Sequence, residues 1–140
     1  MTIDELLDQA ASRIQRYAPH GARDAMAAGA ILIDIRASDA RERDGVIPGS
    51  VHVPRTVLEW RVDRTSKWRN PALDAAPLIL VCDHGYSSVL AAATLIDLGR
   101  DAGDLVGGFA AWVAAGLHVE QPGPPNDELP GMGAPPVSNP

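Results

Sequence analysis

Leu78-Ile79-Leu80-Val81-Cys82-Asp83-His84-Gly85-Tyr86-Ser87-Ser88 is the stretch that decides the fold. Its first four residues form a short, continuously apolar run, the pattern of a strand buried on both faces. From about Ser88 to Leu98 the pattern becomes helical, and Gly99 supplies a C-cap. A strand running through a short loop into a helix places Cys82 where an open α/β sheet binds its ligands, at the carboxyl end of a strand. A helix N-terminus also presents free N–H groups and a partial positive charge. A loop closing around Cys82 aims those donors at its sulfur, and such a nest suits a thiolate, a persulfide or a bound anion. Gly85 fits a tight cradle, which needs a residue able to take positive φ. Ser87 and Ser88 are placed to cap the helix and turn hydroxyls to the same point. The bland alternative is a small buried hydrophobe, a common fate of a free Cys; the strand–loop–helix position favours the reactive reading.

Outward from this stretch, strands and helices alternate. Thr2-Ile3-Asp4-Glu5 is a capping box, and apolar residues from Ile3 to Tyr17 recur at helical spacing, predicting an N-terminal unit over 1–20 made of an amphipathic helix that ends before Pro19. A short helix over Ala22 to Ala28 leads into a strand at Ala30 to Asp34. A polar helix at Ser38 to Arg43, a turn at Gly45 to Gly49 and a strand at Ser50 to Val53 follow. Leu58 to Asn70 reads either way. A short strand at Leu105-Val106 and a helix from Phe109 to Ala115 close the pattern. This alternation predicts an α/β fold, a parallel sheet wrapped by helices.

The chain has 140 residues, enough for one domain, taken to span 21–120. Residues 121–140 hold seven Pro and three Gly and bury little, so the sequence predicts a flexible tail there. The net charge is −6, which argues against nucleic acid or an anionic membrane as partner. No apolar run reaches the ~18 residues of a membrane span, and the acidic start Met1-Thr2-Ile3-Asp4-Glu5 is unlike a secretory leader. One cysteine excludes an internal disulfide and a multi-cysteine zinc site, and the four His residues show no ligand spacing. The location expected is the cytoplasm, where a lone thiol stays reduced.

Four stretches in order resemble the rhodanese (sulfurtransferase) family. These are Asp34-Ile35-Arg36, Gly45-Val46-Ile47-Pro48-Gly49-Ser50 with its Pro54, the loop beginning at Cys82, and Gly107-Gly108-Phe109-Ala110-Ala111-Trp112 followed by Gly116-Leu117-His118-Val119. The resemblance covers about Arg23 to Glu120. It implies a three-layer fold with a central, mainly parallel five-stranded sheet and helices on both faces. It also implies a catalytic Cys82 that takes a sulfane sulfur from a small-molecule donor and passes it to a thiol or cyanide. The backbone of Asp83, His84, Gly85, Tyr86, Ser87 and Ser88 then forms the substrate-binding loop, with no metal and no cofactor. Asp34 and Arg36 read as a structural ion pair near the site.

Val46 stands where the family usually has His, and two loop positions also depart from the family pattern: Asp83 and Ser87 stand where arginines are usual. A carboxylate beside the sulfur in a partly desolvated site disfavours an anionic donor such as thiosulfate by about ten- to hundredfold, and a less charged persulfide or polysulfide suits the loop better. His84, when protonated, can restore part of the charge. Arg55, Arg61, Arg64, Lys67 and Arg69 offer an outside source, though a solvated surface with ordinary ion pairs is the simpler reading. Trp60 and Trp68 read as core packing. Two other functions stay open. One is a phosphatase or arsenate reductase, which needs an Arg six residues after the Cys where this chain has Ser88. The other is a non-catalytic regulatory or binding module that kept the fold.

Overall fold

The computed structural model describes residues 1–124. Five strands form one sheet: β1 (Gln15–Tyr17), β2 (Ile31–Asp34), β3 (Val51–His52), β4 (Leu78–Val81) and β5 (Ala102–Leu105). Their spatial order is β1-β5-β4-β2-β3 and every pairing is parallel. Six helices accompany them: α1 (Ile3–Ala11), α2 (Pro19–Ala27), α3 (Ser38–Asp44), α4 (Leu58–Val62), α5 (Ser87–Asp97) and α6 (Gly108–Ala114).

The period-2 alternation of strand side chains sorts the core into two layers. Leu78, Leu80 and Cys82 point to one face and pack with Ile33, Leu58, Val62, Ala91, Ala92 and Leu95, that is, against α4 and α5. Ile79 and Val81 point to the other and pack with Leu32, Ala22, Leu105, Phe109 and Trp112, against α2 and α6. α1 leans on the outside of α5 through Ala10, Val89 and Ala93. The sheet is thus covered on both sides, as all-parallel sheets require. Each fully buried Leu in it contributes about 1.5–3 kcal/mol.

Four sequence expectations need correction. The N-terminal helix does not run on to Pro19 or occupy the 1–20 unit. It ends at Ala11, where Ser12 closes it and turns its hydroxyl back to the Gln9 carbonyl. The chain then extends, and residues 15–17 pair with Gly103, Asp104 and Leu105 of β5. The first twenty residues therefore contribute an edge strand to the sheet. The last strand lies at Ala102–Leu105, earlier than the apolar Leu105-Val106 pair suggests. It hides from a hydrophobicity reading because Gly103 must be small where the Gln15 carbonyl crosses it, and because Asp104 is buried against a partner from β1.

The segment after Leu58 is largely irregular. It is held by buried guanidinium groups: Arg61 donates to the Trp68 carbonyl, and Arg100 donates to the Val62 and Leu73 carbonyls. Arg61 is 1% exposed, so it is no part of a solvated surface, whereas Trp60 is 47% exposed and not core. The flexible-tail expectation from residue 125 onward lies outside the described residues. Before that point, Val46 and Glu120 exchange backbone hydrogen bonds, which ties the end of the domain to the turn before β3.

Candidate active site

β2 leads outward to β3 on one side of the sheet, and β4 leads outward through α5 to β5 on the other. The crevice between the carboxyl ends of β2 and β4 is therefore the switch point where such sheets bind ligands. Cys82 is the first residue past β4 and sits there, 8% exposed.

The loop curls back on the sulfur. The Gly85 N–H donates to Cys82 Sγ at 3.1 Å and the Ser88 N–H at 3.4 Å. Gly85 makes this turn with φ +86°, and a Cβ there would stand 2.7 Å from the Gly107 nitrogen. Gly107 and Gly108 also have positive φ. They let the start of α6 press directly on the loop, so that Phe109 N–H donates to the Cys82 carbonyl at 2.9 Å and Ala110 N–H to the Asp83 carbonyl at 3.1 Å. The double glycine is thus the seat of the loop.

Of the six loop residues predicted to bind substrate, the structure brings Gly85 and Ser88 to the sulfur. Asp83, His84, Tyr86 and Ser87 are exposed. The capping role expected of Ser87 and Ser88 is replaced: Tyr86 occupies the N-cap of α5 without a side-chain hydrogen bond. Ser88 is fully buried and faces inward, its Oγ 3.3 Å from Cys82 Sγ and donating to Asp104 Oδ2 at 2.7 Å.

Asp104 and Arg16 escaped the sequence reading. Asp104 is 0% exposed, and Arg16 meets both of its oxygens, Nε at 2.8 Å and Nη2 at 3.2 Å. Nη2 also donates to the Gly85 carbonyl at 3.1 Å, so one guanidinium holds the carboxylate and the loop. The Asp104 hydrogen bond raises Arg16 above its ordinary value; partial burial opposes this, and the charges of Asp104 and Cys82 add to it. The available signal was a polar residue midway in each of two short extended segments.

Asp34 and Arg36 form a buried ion pair at the end of β2, with Nη2–Oδ2 at 2.9 Å. Arg41 adds a contact to Asp34 at 3.2 Å, Arg36 donates to the Gly45 carbonyl, and the Arg36 guanidinium lies 3.9 Å from the Phe109 ring centre. This network braces the α6 start that seats the loop. The simpler reading of ordinary ion pairs fits the arginines that could have rimmed the site from outside the loop: Arg55 pairs with Glu59, Arg64 donates to the Asp74 carbonyl, and Arg69 pairs with Asp74. A cavity of about 290 Å³ opens beside the loop, lined by Asp4, Leu7, Arg16, Gly85, Tyr86 and Val89. A larger one, about 680 Å³, lies beyond β3 among Arg41, His52 and Arg61 and does not reach the sulfur. Cys82 lines neither cavity; the smaller one borders its loop through Gly85 and Tyr86. No cluster of metal-ligating side chains is present among the described residues, and none of their helices is long and apolar enough to cross a membrane.

The Rhodanese-like domain family model matches residues 18–115. The thiosulfate sulfurtransferase GlpE of Pseudomonas syringae pv. syringae is 35% identical over 102 residues, covering 72% of this chain and 89% of that protein. The protein of that name from Pseudomonas paraeruginosa is 39% identical over 100 residues, 70% of this chain and 83% of the other. A solved structure from Rhodopseudomonas palustris, described as a protein of unknown function and possible tyrosine phosphatase, is 34% identical with TM-score 0.80. It covers 86% of this chain and 95% of its own.

Proposed function

The chain belongs to the rhodanese-like domain family, and from that premise we propose that it moves a sulfane sulfur through a persulfide on Cys82. The observation that carries this reading is the sulfur itself, set at the switch point of the sheet with two backbone N–H groups aimed at it.

In the first step the Cys82 thiolate attacks the outer sulfur of the donor. A new S–S bond forms on Sγ, and the donor's own bond to that sulfur breaks, its electron pair leaving with the remaining fragment (sulfite, if thiosulfate is the donor). In the second step a thiolate or cyanide attacks the outer sulfur of the persulfide, and Cys82 leaves as the thiolate. Two easier displacements replace one direct transfer. The loop N–H groups stabilise negative sulfur in both, because they are oriented before the charge arrives. No proton donor is required when the attacking and leaving groups are anions.

Asp83 is exposed, so water screens its charge. The barrier it presents to a dianionic donor is smaller than the ten- to hundredfold expected for a desolvated carboxylate. This brings thiosulfate within range, in keeping with the names of the Pseudomonas relatives. A phosphate-transfer reading finds less support: the residue six after Cys82 is Ser88, and Arg16 is already committed to Asp104 and to the Gly85 carbonyl.

The deciding experiment exposes the protein to thiosulfate or a polysulfide and measures its intact mass. A gain of one sulfur, lost on adding cyanide with release of thiocyanate and absent in Cys82→Ser, is the expected result. An unchanged mass with every donor would leave a binding module as the better description.

A further inference from the structure

Sγ of Cys82, Oγ of Ser88, the Asp104 carboxylate and the Arg16 guanidinium form one chain of hydrogen bonds from the sulfur to the edge strand, at 3.3, 2.7 and 2.8 Å. Ser88 and Asp104 are both 0% exposed, so water does not complete their hydrogen bonding. A serine hydroxyl has a single proton to donate. Two acceptors compete for it once Cys82 loses its own: the carboxylate and the sulfur.

We propose that the Ser88 hydroxyl is a two-position switch, pointing to Asp104 while Cys82 is a thiol and to the sulfur when Cys82 is a thiolate, and that Asp104 and Arg16 are positioning residues that set its balance. The proposal rests on Cys82 being the reactive thiol of the function proposed above. In the thiol, S–H donates to Oγ and the hydroxyl donates to Asp104, so both donors are used. When the thiol proton passes to solvent, nothing is oxidised or reduced. Lone pairs of sulfur and oxygen then face each other unless the hydroxyl turns. Turning leaves Asp104 with Arg16 alone, which still meets both carboxylate oxygens. Arg16 is therefore what permits the release, since a buried carboxylate without it would keep the hydroxyl.

The other charged groups around the loop stand in solvent. Asp83 and His84 lie on the loop, and Asp4 and Asp8 lie on α1 across the small cavity. The start of α6 brings Gly107, Gly108, Phe109 and Ala110 against the loop, none of them charged. These groups stay constant across the variants below.

The test is the rate of iodoacetamide alkylation of the full-length protein against pH. Cys82 is the sole cysteine, so the signal has one source. Asp104→Asn removes the competing charge that lies one hydroxyl away from the sulfur; its profile should move to lower pH, with the rate at neutral pH up by as much as about tenfold. Arg16→Gln strands the carboxylate, and its profile should move to higher pH. Ser88→Ala should move the same way as Arg16→Gln, and Ser88→Thr, which keeps the hydroxyl, should return toward wild type. A merely structural role would move Asp104→Asn and Arg16→Gln together. Shifts of one sign, or none, overturn the switch. If circular dichroism shows Asp104→Asn unfolded, the partly exposed Arg16 decides: an unmoved Arg16→Gln profile, or Ser88→Thr behaving like Ser88→Ala, overturns it. A wild-type thiol inert at every pH overturns it too. Alkylation uses no sulfur donor, so failure of persulfide loading alone counts against the transfer reading and leaves the switch standing.

Discussion

Gly108→Ala tests whether α6 seats the Cys82 loop. Gly108 has φ +65°, and a Cβ there would meet three backbone atoms of the loop: the Cys82 oxygen at 2.5 Å, the Asp83 carbonyl carbon at 2.7 Å and the His84 nitrogen at 2.7 Å. Backbone atoms cannot swing aside as a side-chain tip can, so helix and loop must separate. Two contributions add. Placing Ala in the left-handed region costs about 1–2 kcal/mol. Weakening the Phe109 and Ala110 hydrogen bonds to the loop costs about 0.5–1.5 kcal/mol each. The sum is roughly 2–5 kcal/mol. The structure supplies its own control in Gly116, which has φ +75° but nothing within 4 Å of a built Cβ. Gly116→Ala carries the conformational cost alone, about 1–2 kcal/mol. Urea unfolding of the two variants, followed by persulfide loading of each, separates the effects. Gly108→Ala should be the less stable by at least 1 kcal/mol and should load poorly, whereas Gly116→Ala should load normally. Equal stabilities and equal loading would mean that the loop does not depend on contact with Gly108.

Asp34→Asn removes the shared partner of Arg36 and Arg41, and Arg36 has no exposed side-chain surface; a loss of about 3–5 kcal/mol in chemical denaturation is expected, with under 1 kcal/mol counting against the bracing role. His52 is held below its ordinary 6.5 chiefly by burial; its hydrogen bond to the Arg36 carbonyl opposes this, and Arg41 assists it. The unfolded chain therefore binds the proton more readily, so stability is full above about pH 6.5 and falls as the pH drops below it, levelling off under the folded value. His52→Gln should flatten that slope in denaturation curves taken between pH 5 and 8, and an unchanged slope would assign it to other groups. Asp83→Arg combined with Ser87→Arg should raise kcat/KM for thiosulfate by only a few-fold, because both positions are exposed, and the gain should vanish in high salt; a hundredfold gain would show that the wild-type loop is far less screened than its exposure implies.

The parts of the site written in consecutive residues are legible in the sequence alone. The run Leu78 to Val81 announces the buried strand, Cys82 and Gly85 announce a tight loop, and Asp34-Ile35-Arg36 announces an ion pair, because each depends on neighbours in the chain. Arg16 and Asp104 are not legible in that way. They lie 88 positions apart and acquire a meaning only when a three-residue edge strand pairs with β5. Neither strand has an apolar pattern strong enough to outvote the helical spacing that Ile14 and Tyr17 continue, so tertiary pairing overrides local preference there. Trp60 misleads for the opposite reason: size suggests burial, but the helix holding it has only five residues and turns Leu58, Arg61 and Val62 inward instead.

The seating of the loop by α6 bears on how the polypeptide matures. Cys82 is synthesised well before the glycines that shape its surroundings, and β1, which bears Arg16, has no neighbour to pair with until β5 follows. A nascent chain thus carries its thiol, loop unformed, until residues 102–110 emerge and the Val46–Glu120 bridge closes the circuit from end to end. The loop gains its α6 seat and its contact with Arg16 only after those residues have been made, and an unfinished chain holds Cys82 without them.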